Sequence, residues 1–244
     1  MRHLRALLSI ALLPVLGCGY AFYAGPMQPL ETQEENMEVQ DDGGVHFTQG
    51  RLEIRVRAMT DDELNRRFQT ESGEGRRSTN PYTYGNTERP KQESGGRFTV
   101  FQVTVKNYEY PKVLIDPAKV SLISDNGREY WALSGLQLTN YFRAYIQGYG
   151  GNEYGRFRER QDLLSRTMFP KEMIFSGQEL EGFLVFQSLN PDVAALTLKI
   201  HQAVTRFDYR DEPVETIDIS YRFGRDIGRV NRDGSRVQTK AAAS

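Results

Sequence analysis

The sequence predicts a mainly β protein, an antiparallel β-sandwich with a helical-hairpin insertion. Three observations predict it. Thirteen Tyr and thirteen Phe in 244 residues favour strands, where aromatic side chains pack well on a pleated surface. Seven or eight short segments alternate apolar and polar residues, with turn residues between them. One stretch, residues 135–170, switches from a period of two to a helical period.

The elements follow in order. In "RLEIRVRAM", Leu52, Ile54, Val56 and Ala58 alternate with Glu53, Arg55 and Arg57, the pattern of a half-buried strand. Thr60 stands three residues before Glu63, the spacing of a capping box, so a short helix is predicted over 61–68. Residues 69–96 are polar and rich in Gly, Ser, Asn and Pro, and are expected to be a solvated loop. "NPYTYGN" within them is the one piece suited to order locally or to meet a partner. In "RFTVFQVTVKN", Phe101, Val103 and Val105 share one face, and Phe98, Val100, Gln102 and Thr104 share the other. "KVSLIS" and "REYWALS" flank Asp125, Asn126 and Gly127, and Asn-Gly supplies the positive φ of a tight hairpin. "EMIF", the turn "SGQE", then "LEGFLVFQ", "ALTLKIHQAV" and "ETIDISYRF" complete the strands. Trp131, the single tryptophan, is expected in the core beside its hairpin.

The insertion is a predicted αα-hairpin. Leu138, Tyr141, Phe142, Tyr145, Ile146 and Tyr149 line one helical face, and Gly148, Gly150 and Gly151 can end that helix. Tyr154, Phe157, Leu164 and Met168 mark a second helix, with Arg156, Arg158, Arg160 and Arg166 around it. It is read first as a satellite core over the sandwich. Tyr145, Tyr149, Tyr154, Arg156 and Arg158 are the candidate partner-binding residues, because Tyr and Arg anchor interfaces.

The two ends carry a different signal. Arg2, His3 and Arg5 precede an apolar run over 6–16, the layout of an export signal, and the run is shorter than a membrane span of about 20 residues. It closes on Val15, Leu16, Gly17 and Cys18, the only cysteine. That ending resembles the lipobox of bacterial lipoproteins, with Leu16 a departure from its preference for a small residue there. The resemblance implies cleavage after residue 17, acylation of Cys18 and attachment to a membrane of the cell envelope. Residues 18–44 hold six acids and no Lys or Arg, and are expected to be a flexible acidic tether. Residues 45–224 are the expected sandwich, and the basic tail 225–244 is expected to be disordered.

"GRFTVFQVTVKN", "IDPAKVSLISDNGREYWALS", "FSGQELEGFLVFQ" and "ALTLKI" resemble the Ig-like extracellular domains of unknown function found in bacterial lipoproteins. A weaker likeness, through "GREYWALS" and "SGQELEGFLVF", is to small Ig-like inhibitors of bacterial proteases. Both imply an Ig-like sandwich, and neither implies a catalytic motif. The near-neutral charge of -1 argues against nucleic acid as partner. One Cys forbids an intrachain disulfide, and no metal or cofactor motif is seen. His201 reads as a strand-surface or core histidine. The expected function is non-enzymatic binding, scaffolding or assembly in the envelope, with membrane contact through Cys18 and a protein partner. The alternatives are an inhibitor or accessory subunit docking through 135–170, and an envelope glycan hydrolase for which the sequence names no residue pair.

Overall fold

A computed structural model describes residues 21–73, 77–86, 96–148, 152–231 and 235–239. The expected export signal and Cys18 therefore lie outside the described residues. The described residues open with β1 (Ala21–Ala24), β2 (Gln28–Pro29) and β3 (Met37–Val39). β4 (Gly44–Gln49) and β5 (Leu52–Met59) form a hairpin, followed by helix α1 (Asp61–Arg67). β6 (Phe98–Asn107) and β7 (Lys112–Leu114) lead to the hairpin of β8 (Val120–Ser124) and β9 (Glu129–Trp131). The helices α2 (Gly135–Gly148) and α3 (Glu153–Thr167) come next. β10 (Met173–Phe175), β11 (Gln178–Gln187), β12 (Ala195–Phe207) and β13 (Pro213–Gly224) complete the sandwich, and β14 (Ile227–Val230) and β15 (Arg236–Thr239) follow.

The protein is mainly β, an antiparallel sandwich with a helical hairpin. One sheet has the order β11-β6-β5-β4-β3. The other has the order β10-β7-β12-β13-β2, with β8 also on β12 and β9 on β8. The turn after β10, with Gly177 at φ +84°, passes the chain from the second sheet to the first. Inward residues of both sheets form the main core. Ile54, Val56, Phe101, Val103, Leu184 and Phe186 face Leu122, Leu198, Ile200, Ile219, Tyr221 and Phe223. The Phe101 and Phe223 rings meet edge to face at 5.0 Å, and the Tyr221 hydroxyl donates to the Ile54 carbonyl at 3.0 Å. That hydroxyl satisfies itself across the layers, which a fully buried phenol requires.

Part of the outer face of the five-stranded sheet, on β6 and β11, is apolar too, while β5 turns Glu53, Arg55 and Arg57 to that side. Phe98, Val100, Phe183 and Val185 pack beneath Leu138 and Phe142 of α2, Phe157, Leu163 and Leu164 of α3, and Leu64 of α1. The capping box at Thr60 and Glu63 is present in both directions and starts α1 where its spacing predicts. The hairpin predicted over 135–170 thus forms and covers a second core.

Three expectations are corrected. Residues 21–44 are not a free tether: β2 adds to β13, and β3 adds to β4. The Gln33 side-chain amide donates to the Leu30 and Arg222 carbonyls and accepts from the Arg222 N–H, all within 2.9 Å. Backbone pairing with sheet edges holds a segment too acidic to bury itself. The tail beyond 224 is not wholly disordered, because β14 and β15 join β1 in a three-stranded antiparallel sheet. The described part of 69–96 is not a solvated loop. Asn80 donates from one amide to Asn65 Oδ1 at 3.3 Å and Ser72 Oγ at 2.9 Å, and accepts from the Tyr82 N–H at 2.9 Å. Tyr82 is fully buried between Phe68 and Phe183, and its hydroxyl bonds to that of Thr167. Of "NPYTYGN", residues 80–83 and Gly85 are therefore buried, while Tyr84 and Asn86 remain exposed.

Candidate functional site

Of the predicted partner-binding residues, Tyr154 and Arg158 are exposed and stand one turn apart on α3. Tyr154 keeps 63% of its surface in solvent. Arg156 turns aside, its guanidinium 2.5 Å from the nearly buried Glu153 carboxylate. Arg160 is buried, donates to the Ser78 carbonyl at 2.7 Å and sits 5.2 Å from the Phe142 ring centroid, so it fastens the hairpin to residues 77–86. Tyr145 lies in α2, and Tyr149 lies outside the described residues. The structure thus places two of the five side chains on one open surface and gives the helix interior to packing.

A second group emerges on the outer face of the seven-stranded sheet. Ser121 of β8 is registered between Lys199 of β12 and Trp131 of β9, so these three side chains share that face. Trp131, expected in the core, is instead 48% exposed, because the register sets it on the outer face of β9, which among the described residues pairs with β8 alone. Its indole stacks on the His201 imidazole with centroids 5.5 Å apart and planes 29° from parallel. The register slips by a residue at this point of β12, and Gln202 adopts φ +52°. A bulge re-aims a side chain, and a left-handed non-glycine residue persists only where its surroundings hold it. Here the Gln202 N–H donates to Asp218 Oδ1 at 2.8 Å, and Lys119 Nζ donates to Gln202 Oε1 at 2.7 Å. The Asp218 carboxyl is held below its usual range first by that backbone hydrogen bond, and then by Lys199.

Ser121 Oγ and His201 Nε2 are 3.0 Å apart, within the reach of a nucleophile and its base. Exposure decides how the pair is read. Ser121 is completely buried, so its oxygen has no approach for a substrate carbon, and the hydrogen bond fixes the imidazole plane under Trp131. Sequence reasoning missed this group because the bulge and the stacking both depend on pairing between distant strands. The pattern "LKIHQAV", in which Gln202 breaks the alternation, is the one local trace of it.

A cleft of about 400 Å³ runs beside α2, lined by Arg97, Phe98, Leu133, Gln137, Leu138 and Tyr141 with Gln187 and Ser188. Among the described residues no three His, Cys, Asp or Glu side chains converge as metal ligands would, and no helix is long and apolar enough to cross a membrane. No family model, curated protein or solved structure matches this chain.

Proposed function

We propose that this protein is a lipid-anchored, non-enzymatic binding or scaffolding protein of the bacterial envelope. Its binding surface is the open face around Trp131. The observation that carries the reading is the Trp131–His201 stack. A large indole is left half in solvent, yet its plane is fixed by a histidine, a serine hydrogen bond and a braced bulge. Such rigidity lowers the entropy that binding must lose, which is what a recognition surface gains from it. The lipobox-like ending at Cys18 supports the anchor, and durable attachment follows from several acyl chains.

Two measurements test this. Growth with a clickable fatty acid should label the parent and not Cys18→Ala, and equal labelling would remove the anchor. A photocrosslinking phenylalanine analogue at 131 should trap a specific envelope component that the same analogue at the exposed Tyr209 does not. Identical patterns from both positions would remove the binding surface. A second reading, docking through the hairpin, is favoured by the exposed Tyr154–Arg158 pair, and the same analogue at 154 tests it.

A further inference from the structure

We propose that the three-stranded sheet β1-β14-β15 is a membrane-contact face, laid on an anionic bilayer surface next to the anchor. The inference rests on the lipid-anchor reading for the location of the bilayer, and on the sheet itself for the contact.

The strand register builds the face. Phe22 of β1 is directly opposite Arg229 of β14, and Arg229 is directly opposite Val237 of β15. Directly opposed residues point to the same side of a sheet, so the three form one row across all three strands. All three are exposed, Phe22 and Val237 each by 54%. The other side of the sheet is partly covered, with Tyr23 half-buried and Arg236 and Gln238 exposed. Val230 is buried there, and the Arg236 guanidinium lies 4.2 Å from the Tyr23 ring centroid. Two large apolar side chains flanking a guanidinium suit the boundary of headgroups and acyl chains. There the apolar groups enter the chains, and an arginine reaches anionic phosphates.

Position supplies the independent argument. Cys18 precedes Ala21 by three residues, a reach of at most about 11 Å. Since β1 is already paired at Ala21, an acylated Cys18 holds this sheet within roughly one headgroup layer of the bilayer. The correction to the expected tether is what makes this so: a free stalk over 18–44 would have held the domain away. The turn bearing Tyr209 lies at the other end of β13, on the order of 35 Å along the strand.

The test uses the full chain produced with its leader, purified and placed in phosphatidylcholine vesicles with or without phosphatidylglycerol. Phe22→Cys, Val237→Cys and Tyr209→Cys are each labelled with an environment-sensitive nitrobenzoxadiazole dye, and fatty-acid labelling of Cys18 is read on the same samples. With Cys18 acylated, the dye at 22 and 237 should shift to the blue and resist aqueous dithionite, while the dye at 209 should do neither. Phosphatidylglycerol should strengthen the shift at 237, and Arg229→Gln should remove that gain. Equal dithionite access at all three positions, with the fatty acid present, overturns the contact face and leaves the anchor standing. Absence of the fatty acid overturns the anchor reading. In that case the dye series is repeated on the Cys18→Ala background with phosphatidylglycerol vesicles, and no shift at 22 and 237 overturns the face as well. Unchanged thermal melts show that each variant is folded.

Discussion

The outer face of the five-stranded sheet carries Phe98, Val100, Phe183 and Val185, all buried; the outer face of the seven-stranded sheet carries Thr197, Lys199, His201 and Trp131, all reached by solvent. Around Phe98, Val100, Phe183 and Val185 the first is apolar on both sides, so water had to be excluded from both there, and three helices with residues 77–86 do so. The second alternates apolar with polar and remains uncovered. Large side chains on the covered face stabilise the fold, whereas on the open face they do so only weakly and are free to meet a partner.

Breaking the covered face should have the largest effect. Phe142→Ala removes a ring buried against Phe98 and should cost about 3 kcal/mol, read as a lowered midpoint in chemical denaturation. A loss below about 1 kcal/mol would mean the hairpin is loosely held.

Next comes Gly182 of β11, where the chain leaving α3 crosses the sheet and the Phe169 N–H donates to the Phe183 carbonyl at 2.9 Å. A Cβ there would stand 2.4 Å from Phe169 Cα, a backbone atom that cannot step aside. Gly182→Ala should therefore cost about 1–3 kcal/mol. An unchanged melt would show that the crossing is wider than this.

Asp61 sharpens the comparison through pH. Burial at the start of α1, reinforced by Asp62 and opposed by Arg97, pushes its carboxyl up to about 6, from an ordinary value of 3.8. The folded state then holds the proton more tightly than the unfolded one between those values. Stability from this group is complete below about pH 4 and is lost as pH rises through about 6. The parent should gain stability relative to Asp61→Asn on going from pH 7 to pH 5, by on the order of 1 kcal/mol after screening. Parallel pH profiles for the two proteins would contradict it.

Smallest is Trp131→Ala. On the open face it should cost about 1 kcal/mol or less, mostly the stacking on His201. A loss as large as that of Phe142→Ala would return Trp131 to a structural role.

Much of the covered face was legible. The capping box at Thr60, the two-sided strand over 98–107 and the helical spacing of Leu138 and Phe142 are local patterns, and each stretch formed what its period demanded. Of the candidate site, Tyr154 and Arg158 were legible as surface residues of a helix. The Trp131–His201 stack was not, since it joins residues 70 positions apart through a bulge that only the pairing of β12 with β8 and β13 creates.

Local chemistry by itself determined the β class, the positions of turns and helices, and the lone cysteine at the end of an apolar run. Tertiary structure alone decided that the acidic segment 21–44 and the basic end at 227–239 are parts of the fold. It also decided that Tyr82 is core and that Trp131 is not. The physical reason in each case is pairing or packing with another segment. The terminal segments are ordered by backbone pairing with strand edges far away in the chain, Tyr82 by packing against Phe68 and Phe183, and Trp131 by the register of β9 on β8, contributions that composition and periodicity do not record.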